Sequence, residues 1–286
     1  MRSTSEAPLT EPHPVERAAP TAGGRTQLGA TVGRAAASVE IRDLAHSYGE
    51  LRVIERLDLV VRPGEVLGLV GPSGCGKSTL LEVIGGLRAQ SSGRVAVEGE
   101  EAATARLARC AYMPQRDLLL PWLAAIDNAA LALRNRGASR AQARRAAHPL
   151  FERFGLAGFE RARPAELSGG MRQRVAFLRT LLAGKTVLLL DEPFASLDAL
   201  TRAEMQEWLA EALSAESRTA ILVTHDVEEA LYLSDRVAVL SARPARLVTD
   251  LAVPSPRALP RTDAVTTPAF VSAREAALEA LIGAKP

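Results

Sequence analysis

A glycine-rich loop constrains the fold of this chain more than any other stretch of its sequence. The loop follows an apolar run at 65–70 that is typical of a strand, and it precedes a helical pattern at 77–87. It fits the pattern G-x-x-x-x-G-K-[ST], in which backbone N–H groups point at phosphates and the helix N-terminus attracts negative charge. A glycine-rich turn with an incidental lysine is the alternative, but it leaves the flanking strand and helix unexplained. The sequence therefore predicts a phosphate-binding site formed by Gly71, Pro72, Ser73, Gly74, Cys75, Gly76, Lys77, Ser78 and Thr79.

Two side chains of this loop have predicted roles beyond shaping the backbone. Lys77 is long enough to reach the β- and γ-phosphates of a nucleotide. The Ser78 hydroxyl is a suitable ligand for Mg²⁺. The loop thus indicates a phosphorylated ligand accompanied by a divalent cation.

Length and composition exclude several classes of protein. The 286 residues suffice for one large domain or for one domain with appendages. A formal net charge of +2 gives no overall support for nucleic-acid binding, although it leaves room for a local basic patch. Cys75 and Cys110 lack metal-ligand spacing, which favours a reduced setting. We find no apolar run long enough to span a bilayer and no secretory signal, so we expect a soluble chain that reaches any membrane through a partner.

Two acidic residues follow a continuous apolar run at 186–190, which is typical of a buried parallel strand. Asp191 is positioned to hold Mg²⁺, usually through water, and Glu192 to orient or deprotonate an attacking water. A helix-capping acid pair is the alternative, which we disfavour because the chain already carries a phosphate-binding loop.

Polar side chains also follow two other predicted strands, at 110–113 and 220–223. Gln115 comes after Pro114, which stops the first strand, and His225 follows the second. Ligands bind at the carboxyl ends of strands in α/β sheets, so Gln115 is a candidate site residue and His225 a candidate sensor of a terminal phosphate. A surface glutamine and a packing or capping histidine are the alternatives.

The N-terminal part of the folded region contains one candidate base-stacking residue. Short alternating strands are predicted at 39–41 and 57–61, and Tyr48 lies between them. Every nucleotide base offers a π-face on which this ring could stack. From the residues alone, an ordinary strand aromatic is the favoured interpretation, because aromatics are enriched in strands.

Residues 117–183 interrupt the α/β pattern with helical periodicity, which predicts a helical insertion. The insertion begins with an apolar patch at 118–122 that contains Pro121. A solvated helix face is the favoured interpretation of its basic cluster, and nucleic-acid contact is the alternative. The cluster consists of Arg134, Arg136, Arg140, Arg144 and Arg145.

The insertion closes on a second site with the features of a phosphate-binding helix start. Ser168 is suited to cap the helix that follows, and Gly169 and Gly170 allow a phosphate to approach the backbone. Helix capping alone accounts for the serine but does not require two glycines after it.

Taken together, these motifs resemble those of the ATP-binding-cassette ATPases over roughly residues 38–250. The resemblance rests on the phosphate-binding loop and, in the family's order, on Gln115, the Leu-Ser-Gly-Gly signature at 167–170, the 191–192 acid pair, Asp198 and His225. It implies an α/β fold: a P-loop NTPase core with a mixed sheet, an N-terminal antiparallel β-subdomain and an inserted α-helical subdomain at about 117–183. The ATPase domain is expected at 38–250, between a disordered tail at 1–37 and a C-terminal extension at 251–286 with a short helix at 271–282.

The resemblance also implies how the site works. ATP and Mg²⁺ are the expected cofactors, Tyr48 is expected to stack on adenine, and Glu192 is expected to act as general base. Gln115 would couple Mg²⁺ to a transport partner. Two subunits would enclose two ATP molecules head to tail, each between the phosphate-binding loop of one copy and the residues Ser168, Gly169, Gly170 and Asp198 of the other.

The implied partners are a second, identical or paired, ATPase subunit, a transmembrane permease and, indirectly, an extracytoplasmic substrate-binding protein. The expected location is the cytoplasmic face of the inner membrane, with the 118–122 patch receiving the permease. The motifs look most like those of importers of the nitrate, sulfonate and taurine class and of pyrimidine precursors. A cassette protein acting on nucleic acid or ribosomes and a small-molecule kinase are the alternatives, and we expect no nucleic-acid partner.

Overall fold

The structure, a computed structural model, describes residues 38–195, 197–215, 218–254, 257 and 259–284. The tail predicted at 1–37 lies outside these residues. The strands are β1 (Val39–Tyr48), β2 (Leu51–Val61), β3 (Val66–Val70), β4 (Ser92–Val97), β5 (Cys110–Met113), β6 (Val187–Asp191), β7 (Thr219–Val223), β8 (Arg236–Leu240) and β9 (Leu247–Ala252). The α-helices are α1 (Lys77–Ile84), α2 (Ala103–Arg109), α3 (Ala125–Ala129), α4 (Leu131–Asn135), α5 (Arg140–Arg153), α6 (Gly169–Leu182), α7 (Ala199–Ala215), α8 (Val227–Leu233), α9 (Arg261–Ala264) and α10 (Pro268–Gly283).

A mixed sheet in the order β5-β6-β7-β3-β8-β9 forms the centre of the fold. Its first five strands pair in parallel and β9 closes one edge antiparallel to β8. Strands β3, β6 and β7 are buried along their whole length, which explains their continuous apolar sequences, since helices or strands cover both faces. Alternate residues of β3 enter two separate hydrophobic cores, Val66 and Val70 on one side and Leu67 and Leu69 on the other. The predicted mixed sheet is confirmed.

A second, antiparallel sheet has the order β2-β1-β4, and its strands all precede the helical insertion in sequence. Register shifts interrupt the pairing of β1 and β2, and the two strands extend well beyond the short segments predicted at 39–41 and 57–61. Tyr48 is the last residue of β1. The predicted antiparallel β-subdomain is therefore present and larger than the sequence pattern indicated.

Helix boundaries follow from local sequence. Helix α1 ends at Ile84, short of the predicted 87, because Gly85 and Gly86 follow and Gly86 has φ +75°. Helix α10 begins at Pro268, three residues before the predicted start, because Thr267 accepts a hydrogen bond from the N–H of Phe270 and Pro268 occupies the first turn.

The helical insertion corrects one interpretation of the basic cluster. Arg140 and Arg144 are not simply solvated, because both form ion pairs with the carboxylate of Asp127, at 2.5 and 2.7 Å. Asp127 is 2% exposed, and the hydrogen bonds from these arginines hold the pKa of its carboxyl well below its usual range. Arg136 donates to the carbonyl of Leu182 at 2.8 Å. Three of the five arginines therefore hold helices together. Among the described helices, none has the length and apolar character needed to cross a membrane.

Candidate functional site

The phosphate-binding loop connects β3 to α1 and curls around its own lysine. The Nζ of Lys77 donates to the carbonyls of Gly71 at 2.8 Å and Pro72 at 3.0 Å, and the side chain is buried. Gly76 has φ +122°, and a Cβ there would lie 2.7 Å from Cγ1 of Val53. Only glycine fits this position without strain, so the glycine-rich sequence directly determines the curl.

Most of the predicted residues of the loop and of the strand ends line one cleft of about 650 Å³. The predicted residues in its lining are Tyr48, Ser73, Gly74, Gly76, Lys77, Ser78, Thr79, Gln115, Glu192 and His225. Three predicted loop residues shape the loop without lining the cleft, namely Gly71, Pro72 and Cys75, whose free thiol is buried. The lining also contains Leu51, Val53 and Arg243, which the sequence analysis missed. Of these, Arg243 closely follows β8, a position typical of ligand contacts in α/β sheets, but its approach to the loop depends on β8 lying beside β3.

The buried acid beside the loop has an incompletely satisfied carboxylate. Asp191 is 2% exposed, and its Oδ2 accepts a hydrogen bond from the hydroxyl of Tyr112 at 3.2 Å. Burial raises the pKa of Asp191, and hydrogen bonds from the Ser78 and Tyr112 hydroxyls oppose that rise. Its Oδ1 has no hydrogen-bond partner among the described residues. A buried carboxylate oxygen left in this state suits a bound cation or a water that accompanies one.

The neighbouring acid brings the other predicted catalytic residues together. Oε2 of Glu192 accepts a hydrogen bond from Nε2 of Gln115 at 2.9 Å and lies 3.4 Å from Nδ1 of His225. Glu192 has φ +47°, a conformation that costs of order 1 kcal/mol for a residue with a side chain. Its N–H donates to the carbonyl of Val223 at 2.9 Å, which holds this turn against the end of β7. Gln115 and His225, which follow β5 and β7, therefore both contact one carboxylate oxygen of Glu192, which follows β6 between them.

The histidine is held by the start of α8. Asp226 accepts hydrogen bonds from the N–H groups of Glu228 and Glu229 and so caps that helix. The N–H of Asp226 in turn donates to the hydroxyl of Thr224 at 3.0 Å. The backbone on both sides of His225 is thus fixed, while its side chain is 60% exposed to the cleft and solvent.

Tyr48 lies at the mouth of the cleft, at the end of β1. The ring is 42% exposed, and its hydroxyl lies 3.3 Å from Oγ1 of Thr79. The guanidinium of Arg88 lies over the ring, 4.8 Å from its centroid. The ring is therefore positioned beside the phosphate-binding loop, and its stacking on a base stays a prediction.

The second predicted phosphate site lies at the start of α6 and does not reach this cleft. Oγ of Ser168 accepts a hydrogen bond from the N–H of Met171 at 3.2 Å, so the predicted cap is confirmed. A Cβ on Gly170 would lie 3.2 Å from Cδ2 of Leu197. Oδ1 of Asp198 accepts from the N–H of Thr201 at 3.0 Å. In the described part of the chain, none of Ser168, Gly169, Gly170 and Asp198 lines the cleft.

A loop next to Gln115 presents two apolar side chains to solvent. Leu118 is 60% exposed and Trp122 is 69% exposed. Arg179 of α6 donates to the carbonyls of Asp117 and Leu118, at 2.6 and 2.8 Å, and the buried Asn128 side chain accepts from the N–H of Leu120 at 2.8 Å. Contacts from Arg179 and Asn128 therefore fix the backbone of the loop that carries this exposed apolar pair. Binding surfaces commonly consist of such loops held on a rigid scaffold.

Comparison with known proteins assigns the chain to a family. The sequence profile described as "ABC transporter" matches residues 54–195. The chain is similar to the formylaminopyrimidine import ATP-binding protein of Halalkalibacterium halodurans, with 46% identity over 202 residues that cover 71% of this chain and 78% of that protein. It is similar to an aliphatic sulfonates import ATP-binding protein of Rhodococcus jostii, with 45% identity over 226 residues that cover 79% of this chain and 87% of that protein.

Solved structures agree with these sequence relationships. The dimeric structure of a post-hydrolysis state of an ATP-binding cassette bound to ADP and Pi superimposes with a TM-score of 0.69 and 26% identity. That similarity covers 76% of this chain and 99% of the solved one. The chain therefore belongs to the ABC transporter family and is one of its ATP-hydrolysing cassettes.

Proposed function

We propose that this chain is the ATP-hydrolysing subunit of an importer and that it drives uptake of a small solute through a separate membrane permease. The single observation that carries the proposal is the meeting of Gln115, Glu192 and His225 at one carboxylate oxygen beside the phosphate-binding loop. The relatives support the importer assignment, because their names specify import of formylaminopyrimidine, aliphatic sulfonates and, for a protein of Burkholderia pseudomallei with 43% identity, taurine.

The residues present fit a Mg²⁺–ATP complex. Ser78 and Asp191, whose buried Oδ1 lacks a partner in the described region, would hold the cation, with Gln115 as a further ligand. The described residues contain no cluster of three or more acidic, cysteine or histidine side chains that would bind a metal alone. Mg²⁺ usually completes its coordination with phosphate oxygens and water, so such a partial protein site is what a nucleotide-borne cation needs. When bound, the cation would neutralise charge that develops on the phosphates.

The chain's own residues can then perform hydrolysis. Lys77 binds the phosphates, and Glu192 accepts a proton from a water molecule whose oxygen attacks the γ-phosphorus. As that bond forms, the bond between the γ-phosphorus and the oxygen of the leaving ADP breaks. Gln115 and His225 hold the Glu192 carboxylate in place before the reaction, and His225 is exposed enough to contact the departing phosphate.

A complete site requires a second subunit. Ser168 to Gly170 and Asp198 lie outside the cleft of their own chain. Ser168 to Gly170 form the capped start of α6, a feature that binds anions, and Asp198 precedes α7. A head-to-tail pair of subunits would place them across the nucleotide from Lys77. The dimeric solved relative with ADP and Pi supports this arrangement.

The exposed loop at 117–123 is the expected contact with the permease. Its two exposed apolar side chains, Leu118 and Trp122, follow Gln115 closely in sequence, so a change at the nucleotide has a short path to them. This assignment places the subunit on the cytoplasmic face of the membrane as a peripheral protein. An extracytoplasmic substrate-binding protein would deliver the solute to the permease.

The alternative functions have less support. Nucleic-acid or ribosome binding rested on the arginine cluster, of which Arg136, Arg140 and Arg144 are occupied by contacts within the protein. A small-molecule kinase does not account for the Leu-Ser-Gly-Gly signature at 167–170.

The test is the variant Glu192→Gln, with the exposed Glu152→Gln on α5 as the control. Removing a general base typically slows the chemical step about 10²- to 10⁴-fold. We therefore expect Glu192→Gln to bind ATP but to hydrolyse it more slowly by that factor. The variant should accumulate as an ATP-bound dimer, which size-exclusion chromatography detects. Glu152→Gln should retain normal turnover. Normal hydrolysis by Glu192→Gln would refute the assigned role.

A further inference from the structure

The nucleotide cleft contains a cation that no motif identified. Arg243 lies in the turn between β8 and β9 and lines the cleft together with Ser73 and Gly74. Its Nη2 lies 3.9 Å from the position that a Cβ on Gly74 would occupy. The guanidinium therefore reaches the rim of the phosphate-binding loop from outside it.

Sheet topology explains how a residue so distant in sequence reaches the loop. Strand β3, which leads into the phosphate-binding loop, has β7 on one side and β8 on the other, and all three run parallel. The carboxyl ends of parallel strands meet at one edge of the sheet, where ligands bind. His225 follows β7, and Glu192 follows β6 one strand further on. Arg243 follows β8, so it approaches the loop from the side opposite to the catalytic residues.

The turn that carries Arg243 is fixed on both sides of this residue. The N–H of Ala242 donates to the carbonyl of Ala284 at 2.9 Å, and the N–H of Ala245 donates to the carbonyl of Val53 at 2.8 Å. Oγ of Ser241 lies 2.8 Å from the carbonyl oxygen of Ala242 and accepts a hydrogen bond from the N–H of Arg246 at 3.0 Å. The backbone of Arg243 is therefore held in position, so binding a ligand would require ordering only its side chain.

In the part of the chain that the structure describes, the guanidinium of Arg243 has no partner of its own. Within the described residues, it forms no hydrogen bond and no ion pair. Arg246, on the same turn, differs in this respect, because it pairs with Glu55 at 2.7 Å and does not line the cleft. Among the described residues that line the cleft, Lys77 is the other permanent cation, and it is buried beneath the loop. Arg243 is thus the exposed positive charge available to an entering anion.

We propose that Arg243 binds the phosphate chain of the nucleotide and so raises the affinity of the cleft for ATP and ADP. The inference deepens the proposed ATPase function and rests on it. A guanidinium suits this role because its planar set of donors matches two phosphate oxygens at once. Arg243 lies on the side of the loop away from the attacking water, so it stabilises the ATP-bound ground state and the transition state equally. Loss of such a contact raises KM and leaves kcat unaltered.

The experiment compares Arg243→Ala with Arg243→Lys and with the matched control Arg246→Ala. Isothermal titration calorimetry measures the affinity for ADP and for a non-hydrolysable ATP analogue, and steady-state assays measure kcat and KM for ATP. We expect Arg243→Ala to weaken both affinities and to raise KM about three- to tenfold at unchanged kcat, with Arg243→Lys intermediate. Arg246→Ala should stay within about twofold of the wild type. Thermal unfolding checks that all three variants fold.

Distinct results separate failure of this inference from failure of the proposed function. A wild-type chain that binds neither nucleotide would overturn both. Wild-type binding with unchanged affinity in Arg243→Ala would overturn the role of Arg243 alone. Equal losses in Arg243→Ala and Arg246→Ala, or an effect of Arg243→Ala on dimer formation without an effect on affinity, would also overturn it.

Discussion

The pH dependence of stability should be controlled in part by one buried carboxyl group, that of Glu229 on α8. The side chain is 4% exposed, and its Oε2 accepts a hydrogen bond from Nε2 of Gln206 on α7 at 3.2 Å. Burial raises the pKa of Glu229 from 4.5 to about 7, with Asp226 adding to the rise and a hydrogen bond from Thr224 opposing it. The informative change is Glu229→Gln, which preserves the shape of the side chain and removes its charge.

The expected magnitude follows from the two pKa values. The folded protein binds this proton more tightly than the unfolded chain, so the associated stability is fully present below about pH 4.5 and is lost as the pH rises through about 7. A difference of about 2.5 between the two pKa values corresponds to about 3 kcal/mol in the free energy of unfolding, because one pKa unit is worth about 1.36 kcal/mol. Glutamine does not titrate. Glu229→Gln should therefore exceed the wild type in stability by about 3 kcal/mol near pH 8 and by about 1 kcal/mol near pH 5.

Urea denaturation of both proteins at several pH values measures this difference directly. The neighbouring substitution Glu228→Gln is the control, because Glu228 is 38% exposed and pairs with Arg274 at 2.9 Å. It should show no gain at high pH, since its carboxylate is partly solvated and has a cationic partner. A gain from Glu229→Gln that is the same at every pH, or a loss of stability near pH 8, would refute the reasoning from burial.

Two further substitutions test the loop and the helical insertion. Gly76→Ala should abolish nucleotide binding, because its φ of +122° and the 2.7 Å approach of Val53 Cγ1 force the loop to move, and calorimetric titration with ADP checks this in a variant shown to be folded by circular dichroism. Asp127→Asn should lower the free energy of unfolding by about 2–3 kcal/mol at neutral pH, because Arg140 and Arg144 lose their charged partner. Since the pKa of Asp127 lies below its usual range, urea denaturation should show this difference shrinking as the pH falls below about 4.

The central sheet was largely predictable because its strands carry strong local signals. Strands buried on both faces must be apolar throughout, and the polar residues that follow them mark their ends. The boundaries of β5, Cys110–Met113, agree with the prediction residue for residue. The convergence of Gln115, Glu192 and His225 could likewise be anticipated, because parallel strands end at a common edge.

What the sequence did not reveal depends on contacts between distant residues. The pairing of Arg140 and Arg144 with Asp127 spans 13 and 17 positions, and neither arginine differs locally from a solvated one. The lengths of β1 and β2 were underestimated because register shifts and exposed positions break the alternation on which strand prediction relies. Arg243 escaped notice because its proximity to Gly74 depends on β8 lying beside β3.

Helix α6 has a mechanical consequence that follows from its two ends. It begins at the capped turn of Ser168 and contains Arg179, which grips the backbone at Leu118. Its 14 residues extend about 21 Å as one hydrogen-bonded rod. Because the helix is rigid, a tilt at Ser168 also moves Arg179 and the loop backbone that it contacts. In the proposed dimer, binding of the neighbouring subunit's nucleotide at Ser168 would therefore shift the loop that carries Trp122, and α6 would transmit nucleotide binding to the permease.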